Sequence, residues 1–336
     1  MTPVRVAVIG VGQPFHHLPA LARIEGAVVV ALCDVSESRL QEAGRTYGIS
    51  ALFTDYRVML EGVKPNAVYV LPSVTRTVEV ASECLDRGFS CFIEKPPGIT
   101  AADTRDLAQQ ARRRGVTVMV GFNRRFHPLV TAARAAMTGH GRPSSVIAEW
   151  WKPLLMDDMG RTFPPVVLDN LLSVTTVHSV DTLRFLGGDV DEILGVAGRW
   201  YSPYPDAVHA LLRFRGGGVG VLLSDYHTTK VERLQMHGEG VLIELHGTGA
   251  PYREGRIFAA GRWAPLTPAP GDRTDPDGFF DEDQHFITCV ASGRSVGPDG
   301  ADLDDAVHTM ALAEAIIQAA HRGWEGRSPA RVEGSS

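Results

Sequence analysis

Phe92-Ile93-Glu94-Lys95-Pro96-Pro97 closes an apolar run that begins at Phe89 and is broken only by Ser90. Such a run reads as a buried strand. Proline has no backbone N–H and cannot continue a central strand, so the chain leaves the sheet at Pro96. Glu94 and Lys95 then stand at the carboxyl end of the strand, where open parallel α/β sheets bind their ligands. A lysine partly dehydrated in such a crevice can lose its proton near neutral pH and act as acid or base. The competing reading is a surface salt bridge at a turn.

The residues on either side carry the same pattern. Upstream, the β-branched run Val4 to Ile9 enters Gly10-Val11-Gly12, and a helix is predicted from Phe15 to Ile24. A strand, a glycine turn and a helix form a dinucleotide-binding opening, with the pyrophosphate on the helix N-terminus. The fingerprint is incomplete, because Phe15 stands where a third glycine would fall. A second strand, Val28 to Cys33, ends in Asp34, the place for a carboxylate that grips a ribose 2′-hydroxyl. That carboxylate repels a 2′-phosphate, which favours NAD; Arg39 keeps NADP as the minor option. Alternatively, Asp34 only caps the helix Ser36 to Tyr47. A strand Ala67 to Leu71 runs into Pro72, and a helix Thr77 to Arg87 closes at Gly88. Downstream, Thr100 caps a helix Ala101 to Arg114, Gly115 ends it, and Val116 to Val120 is the next strand. Alternating strands and helices at this spacing predict a doubly wound parallel sheet.

Composition narrows the function classes. The 336 residues suit two domains, with 44% apolar and 21% charged residues. A net charge of -6, with no basic run beyond Arg112-Arg113-Arg114, argues against nucleic acid as partner. No apolar run is long enough to span a bilayer, and no signal-peptide segment precedes the first strand. Cys33, Cys84, Cys91 and Cys289 are scattered, which argues for reduced thiols, a cytoplasmic protein and no metal site.

Four pieces together resemble the Gfo/Idh/MocA oxidoreductases: IGVG at 9–12, CD at 33–34, EKPPG at 94–98 and GFNRRF at 121–126. The resemblance implies a Rossmann domain followed by an α/β domain on an open, mainly antiparallel sheet. It implies that Lys95 lies near the nicotinamide and the reacting carbon, with Glu94 on the cofactor side. Asn123 and Arg124 match family residues that flank the nicotinamide. Arg125 either joins them or forms an ion pair tying the two domains together. Ser73 and Arg76 stand near positions where the family often has Asn and His.

In the second half, a helix is predicted from Pro128 to Met137 and a strand from Ser145 to Trp151. Lys152 follows the strand, either touching substrate hydroxyls or as a solvated strand-end lysine. Leu154 to Pro165, with Asp157, Asp158 and Gly160, reads as a loop over the site. Leu171 to Leu186 reads as a helix. There the resemblance places an Asp and a His one turn apart; the histidine matches His178, whereas Val174 holds the aspartate position. Val174 is expected to face the cleft and leave His178 without that partner. Asp181 either orients the imidazole or is structural, and His178 itself is either functional or a hydrogen-bonded core residue. The string around His178 also resembles a subgroup of regulatory proteins that keep the fold and act as sensors.

From Ile193 onward short strands dominate: Ala207 to Phe214, Val219 to Tyr226, Val231 to His237 and Val241 to His246. Pro265 to Gly278 reads as a long loop. Helices are predicted over Asp281 to Ser292 and Asp302 to His321, the last packing back across the first domain, and Gly323 to Ser336 as a fraying tail. The domain boundaries expected are 1–126 for the dinucleotide-binding domain, 127–325 for the substrate and oligomerisation domain, and 326–336 for the tail. The expected function is NAD(P)-dependent hydride transfer to or from a secondary alcohol or ketone of a sugar, cyclitol or related polyol. Lys95 and His178 are the candidate catalytic residues. Gly10, Val11, Gly12, Asp34, Pro72, Glu94, Lys95, Asn123 and Arg124 are the candidate cofactor residues. Lys95, Lys152, His178 and Asp181 are the candidate substrate residues. The partners expected are the small-molecule substrate and a second copy, as a homodimer or homotetramer through the C-terminal sheet. The alternatives are a catalytically silent sensor, or an epimerase or glycosidase working through a transient ketone.

Overall fold

A computed structural model describes residues 2–12, 16–154, 162–268 and 275–325. Phe15, most of the stretch Leu154 to Pro165 with Asp157, Asp158 and Gly160, part of the stretch Pro265 to Gly278, and the tail 326–336 lie outside the described residues. The chain divides into two compact units, Met1–Ala132 with Pro268–Ala311, and Ala133–Thr267 with the chain from Leu312 onward.

The first unit is built on a parallel sheet of β1 (Val4–Ile9), β2 (Ala27–Cys33), β3 (Leu52–Phe53), β4 (Ala67–Val70), β5 (Ser90–Glu94) and β6 (Val118–Gly121), in the order β3-β2-β1-β4-β5-β6. β4 and β6 are buried along their whole length, as expected of strands covered on both faces. Val6, Val8, Tyr69, Phe92, Met119 and Phe286 belong to one core. Burying each such side chain contributes about 1.5–3 kcal/mol. Local chemistry sets the helix ends. Thr100 accepts from the Asp103 N–H while the Asp103 carboxylate accepts from the Thr100 N–H, a reciprocal cap on the helix Ala101–Arg114. Gly115 ends that helix in the left-handed region, at φ 65°.

Most strand boundaries follow the sequence reading within two residues. The helix expected over Phe15 to Ile24 is described only as the short helix His17–Leu21. β3 and the helix Tyr56–Val63 were not anticipated. β3 has two residues, too few to show a period, but Tyr56, Met59, Leu60 and Val63 carry the i, i+3, i+4, i+7 spacing of a helix behind the cap Asp55. The helix Phe279–Ser292 supplies core residues to the first unit, not to the second domain.

The second unit carries a sheet of β7 (Ser145–Trp151), β8 (Val190–Gly198), β9 (Ala207–Phe214), β10 (Val219–Asp225), β11 (Val231–Gly238), β12 (Val241–Thr248), β13 (Glu254–Ala259) and β14 (Arg262–Pro265). Their order is β14-β13-β12-β11-β7-β10-β9-β8, antiparallel except between β7 and β10. Val208, Ala210, Leu212 and Phe214 are buried on one face of β9, while His209, Leu211 and Arg213 lie on the other. The open face changes character across the sheet. It exposes Leu194, Val196 and Leu211 towards β8, and pairs Arg233 with Glu149 at 3.2 Å and Arg256 with Glu244 at 2.6 Å towards β13.

Two expectations are corrected here. Leu171 to Leu186 is not one regular helix: a π-helical turn, Leu172–Thr176, leads into the α-helix Val177–Gly187. A π turn shifts the register, so Val174 and His178 do not belong to one uniform α-helical row. The helix Leu303–Glu325 is longer than predicted, so Gly323 to Glu325 are helical and not part of a tail. Among the described residues, no helix is long and apolar enough to cross a membrane.

Candidate active site

The strand order of the first sheet reverses between β1 and β4, and ligands of open α/β sheets bind at such a switch point. Gly10 leaves β1 at φ 96°, and a Cβ there would lie 2.2 Å from the Leu71 carbonyl oxygen and 2.9 Å from the Pro72 nitrogen. Only glycine lets the ends of β1 and β4 come this close. Beyond Gly10, the Val11 N–H donates to Asp34 Oδ2 at 2.8 Å. Asp34 Oδ1 accepts from the Ser36 N–H at 2.8 Å and from Arg39 Nη2 at 2.9 Å.

Ser36, not Asp34, is the residue that caps the helix Glu37–Tyr47. Asp34 instead ties the glycine turn to the start of that helix. Burial works to raise its pKa; the N–H groups of Ser36 and Val11 and the Arg39 guanidinium outweigh burial and hold it below the usual carboxylate value. A carboxylate has about four acceptor positions, so Asp34 retains capacity for a ligand hydroxyl. A Cβ on Gly12 would stand 3.0 Å from the guanidinium carbon of Arg39, so that side chain lies directly over the turn. A nicotinamide dinucleotide suits this donor set: a bare backbone turn for phosphate and an ionised acid for ribose.

On the other side of β4, Glu94 is the last residue of β5. Glu94 and Lys95 are half-buried, and Pro96, Pro97 and Gly98 are buried. The Lys95–Pro96 peptide is cis. Glu94 pairs in the ladder with Gly121, where an added Cβ would stand 3.1 Å from Glu94 Oε2, so the carboxylate rests on the end of β6. After β6, Asn123 donates from Nδ2 to the Asp277 carbonyl at 2.9 Å. Arg124 is buried beside it. Arg125 Nη2 lies 2.6 Å from Asp305 Oδ2, and both residues belong to the first unit. Arg125 is thus an ion-pair residue, its partner lying in the second domain by the boundaries expected from sequence and in the first unit by the division of the structure. Arg76 pairs with Glu79 at 2.8 Å on the exposed start of its helix.

Behind Glu94, His17 is 6% exposed. Its Nδ1 lies 2.9 Å from Asp283 Oδ1, and its Nε2 lies 3.5 Å from Glu94 Oε2. Phe92, Phe279 and Tyr69 surround the ring, with centroids at 4.8, 5.3 and 5.6 Å. Burial opposes a charge on His17, but Asp283 and Glu94 outweigh it and raise the pKa well above the ordinary histidine value. Glu282, next to Asp283, is 0% exposed and neither carboxyl oxygen has a hydrogen-bond partner. Burial pushes its pKa well up, in favour of the neutral acid.

In the second unit, Lys152 follows β7 with Nζ 3.3 Å from Glu232 Oε1 and 4.0 Å from the Trp150 ring centroid. Its side chain is 19% exposed and that of Glu232 is 2% exposed, so Lys152 is the counter-charge of a buried acid, not a solvated strand-end lysine. His178 is half-buried on the helix Val177–Gly187, and Asp181, one turn on, is fully buried. Val174 is buried within the π turn. The Thr176 hydroxyl meets those of Ser224 at 3.2 Å and Tyr226 at 3.0 Å. Among the described residues, no group of three or more His, Cys, Asp or Glu side chains is arranged to hold a metal ion.

Residues 4–122 match the Gfo/Idh/MocA family, an oxidoreductase family with an NAD-binding Rossmann fold. The D-glucoside 3-dehydrogenase of Escherichia coli (strain K12) is 32% identical over 245 residues, covering 65% of this chain and 69% of that protein. The chain belongs to the Gfo/Idh/MocA family. The D-apiose dehydrogenase of Paraburkholderia graminis is 28% identical over 334 residues, covering 92% of this chain and 85% of that protein. A levoglucosan dehydrogenase solved with NADH and levoglucosan shares the fold, with a TM-score of 0.82 at 18% identity over 96% of this chain and 98% of that one.

For this Gfo/Idh/MocA member, sequence reasoning placed Gly10, Val11, Gly12, Asp34, Pro72, Glu94, Lys95, Asn123 and Arg124 at the carboxyl ends of first-unit strands, and all of them lie there. It missed His17, Glu282 and Asp283. A signal existed for the acids. Asp283, Phe286 and Ile287 stand at i, i+3 and i+4 on the helix Phe279–Ser292, which puts the acid on the apolar, buried face.

Proposed function

We propose that this protein is an NAD-dependent dehydrogenase that moves a hydride between the nicotinamide and a secondary alcohol or ketone carbon of a sugar, cyclitol or related polyol. The observation that carries the reading is Lys95, half-buried immediately after the last residue of β5, beside the switch-point crevice. When bound, the nicotinamide supplies the redox chemistry. Lys95 takes the hydroxyl proton when an alcohol is oxidised and returns it when a ketone is reduced. Gly10, Val11, Gly12 and Pro72 form the backbone cradle for the pyrophosphate, and Asp34 holds the adenosine ribose. Glu94, Asn123 and Arg124 border the nicotinamide end. His178 serves as partner to Lys95 or as a clamp on a substrate hydroxyl, with Lys152 and Asp181 as further substrate-side candidates.

The dehydrogenase names of the relatives support turnover over a silent sensor. The ionised Asp34 supports NAD over NADP. The exposed Leu194, Val196 and Leu211 on the open sheet face support a homodimer or homotetramer through that sheet, and four buried free cysteines support a reducing, cytoplasmic setting. The test is a panel of aldoses, glycosides and cyclitols with NAD and with NADP, followed at the reduced-nicotinamide absorbance. Turnover of at least one polyol is expected. NADH binding without turnover of any of them would favour the sensor.

A further inference from the structure

Hydride transfer with proton exchange at Lys95 makes no direct use of His17, Asp283 or Glu282, yet these are among the most deeply buried ionisable side chains of the first unit. The arrangement is specific. Asp283 faces Nδ1 of His17, with Oδ1 at 2.9 Å and Oδ2 at 3.1 Å, and Glu94 faces Nε2. Both neighbours are acceptors when ionised, so the ring satisfies both only with a proton on each nitrogen. Other ionisable groups close in from every side: Glu282 on the helix of Asp283, Asp275 on the turn before that helix, Tyr69 on β4, and His16 on the segment of His17 itself. Glu94 is the one member that reaches the crevice, because it directly precedes Lys95 in the chain and its carboxylate rests on Gly121.

We propose that His17 is a positioning residue for the Lys95 crevice. Bridging Asp283 and Glu94, it fixes the Glu94 carboxylate on the end of β6, and with it the strand-end turn that carries Lys95. The proposal rests on the reading of Lys95 given above.

The test is a double-mutant cycle of His17→Asn and Glu94→Gln, with single-turnover hydride transfer measured from pH 6 to 10 and NADH affinity measured alongside. Asn reproduces the Nδ1 side of the ring and cannot also reach Glu94. Each single variant is expected to slow hydride transfer about tenfold, with NADH affinity within a few-fold in His17→Asn, and the double variant to lose no more than the worse single one, because the two residues act as a unit. Losses that multiply in the double variant, or an unchanged rate in a folded His17→Asn, would overturn the proposal. If His17→Asn does not fold, nitrogen NMR of the wild-type imidazole at pH 8 decides: two protonated nitrogens support the bridge, and a neutral tautomer overturns it. A wild type that transfers no hydride to any polyol would instead defeat the proposed function itself.

Discussion

Asp34 and Asp283 are 6% and 0% exposed in the same unit, and their carboxyl groups are shifted in opposite directions. Asp34 receives two backbone N–H groups and a guanidinium, and these outweigh the cost of burial. Asp283 is held by an imidazole that also faces Glu94, and burial wins, so its pKa is raised. Burial alone therefore does not decide which way the pKa of an acid moves; the number and kind of donors does. The difference also separates two tasks at one sheet edge. The β1–β2 corner keeps an ionised acid with capacity for a ligand hydroxyl, whereas the β5–β6 corner seals its acids and presents Lys95.

The largest expected effect tests that separation of tasks. Lys95→Met keeps the length and packing of the stem and removes the amine. Hydride transfer should fall by at least about a hundredfold while NAD affinity stays within a few-fold. Single-turnover kinetics and cofactor titration on the same variant check this. Lost NAD affinity would mean that the Lys95 amine serves cofactor binding or structure and not the substrate proton, and the comparison would collapse.

The next effect concerns the sealed acids. The pKa of Glu282 is raised in the folded state, so its proton favours folding at low pH, and that contribution is lost as pH rises from the unfolded value near 4.3 through the folded one. Glu282→Gln does not titrate. Its stability relative to the wild type should therefore climb with pH, by about 1.4 kcal/mol per pH unit over that window. Urea unfolding at several pH values between 5 and 8 reads the difference directly. Parallel curves for the two proteins would mean that Glu282 is ionised in the fold.

The two corners were not equally legible in the sequence. Gly10, Asp34, Glu94 and Lys95 each sit at the end of an apolar run, with Gly12 after the first and Pro96-Pro97 after the last two, so a local pattern marks them. His17 and Asp283 meet across 266 residues of chain, and no local period joins them. The buried face of the helix Phe279–Ser292 marks Asp283 as internal, but only the packed sheet shows that it faces a histidine. In the second unit, the spacing of Val174 and His178 predicts one turn of a regular helix. The π turn lies among Ser173, Val174, Thr175 and Thr176, where side-chain hydroxyls compete for backbone carbonyls; Thr175 Oγ1 donates to the Leu171 oxygen at 2.7 Å.

A third effect bears on the open corner. Asp34→Ala removes the charge that repels a 2′-phosphate and the acceptor for a ribose hydroxyl. The preference for NAD over NADP should fall about tenfold, equivalent to about 1.4 kcal/mol. Steady-state kcat/KM with each cofactor measures it. A wild type that already prefers NADP would overturn the assignment of Asp34.

The smallest effect sharpens the account of that corner, because Arg39 acts on both cofactors at once. Its guanidinium lies 2.9 Å from Asp34 Oδ1 and directly over Gly12, with the side chain 47% exposed. It partly offsets the carboxylate, which weakens repulsion of a 2′-phosphate, and it is itself a phosphate donor in reach of the turn. Removing it leaves Asp34 with its two backbone donors and its full charge. Arg39→Ala should therefore weaken NADP binding a few-fold and leave NAD binding nearly unchanged, a modest effect because an exposed ion pair is worth about 0–1 kcal/mol. The contrast should shrink with added salt, since screening acts on exposed charges. Fluorescence titration of NADH and NADPH at low and high ionic strength checks both points. An equal loss for the two cofactors would show that Arg39 serves the pyrophosphate and that Asp34 alone sets the preference.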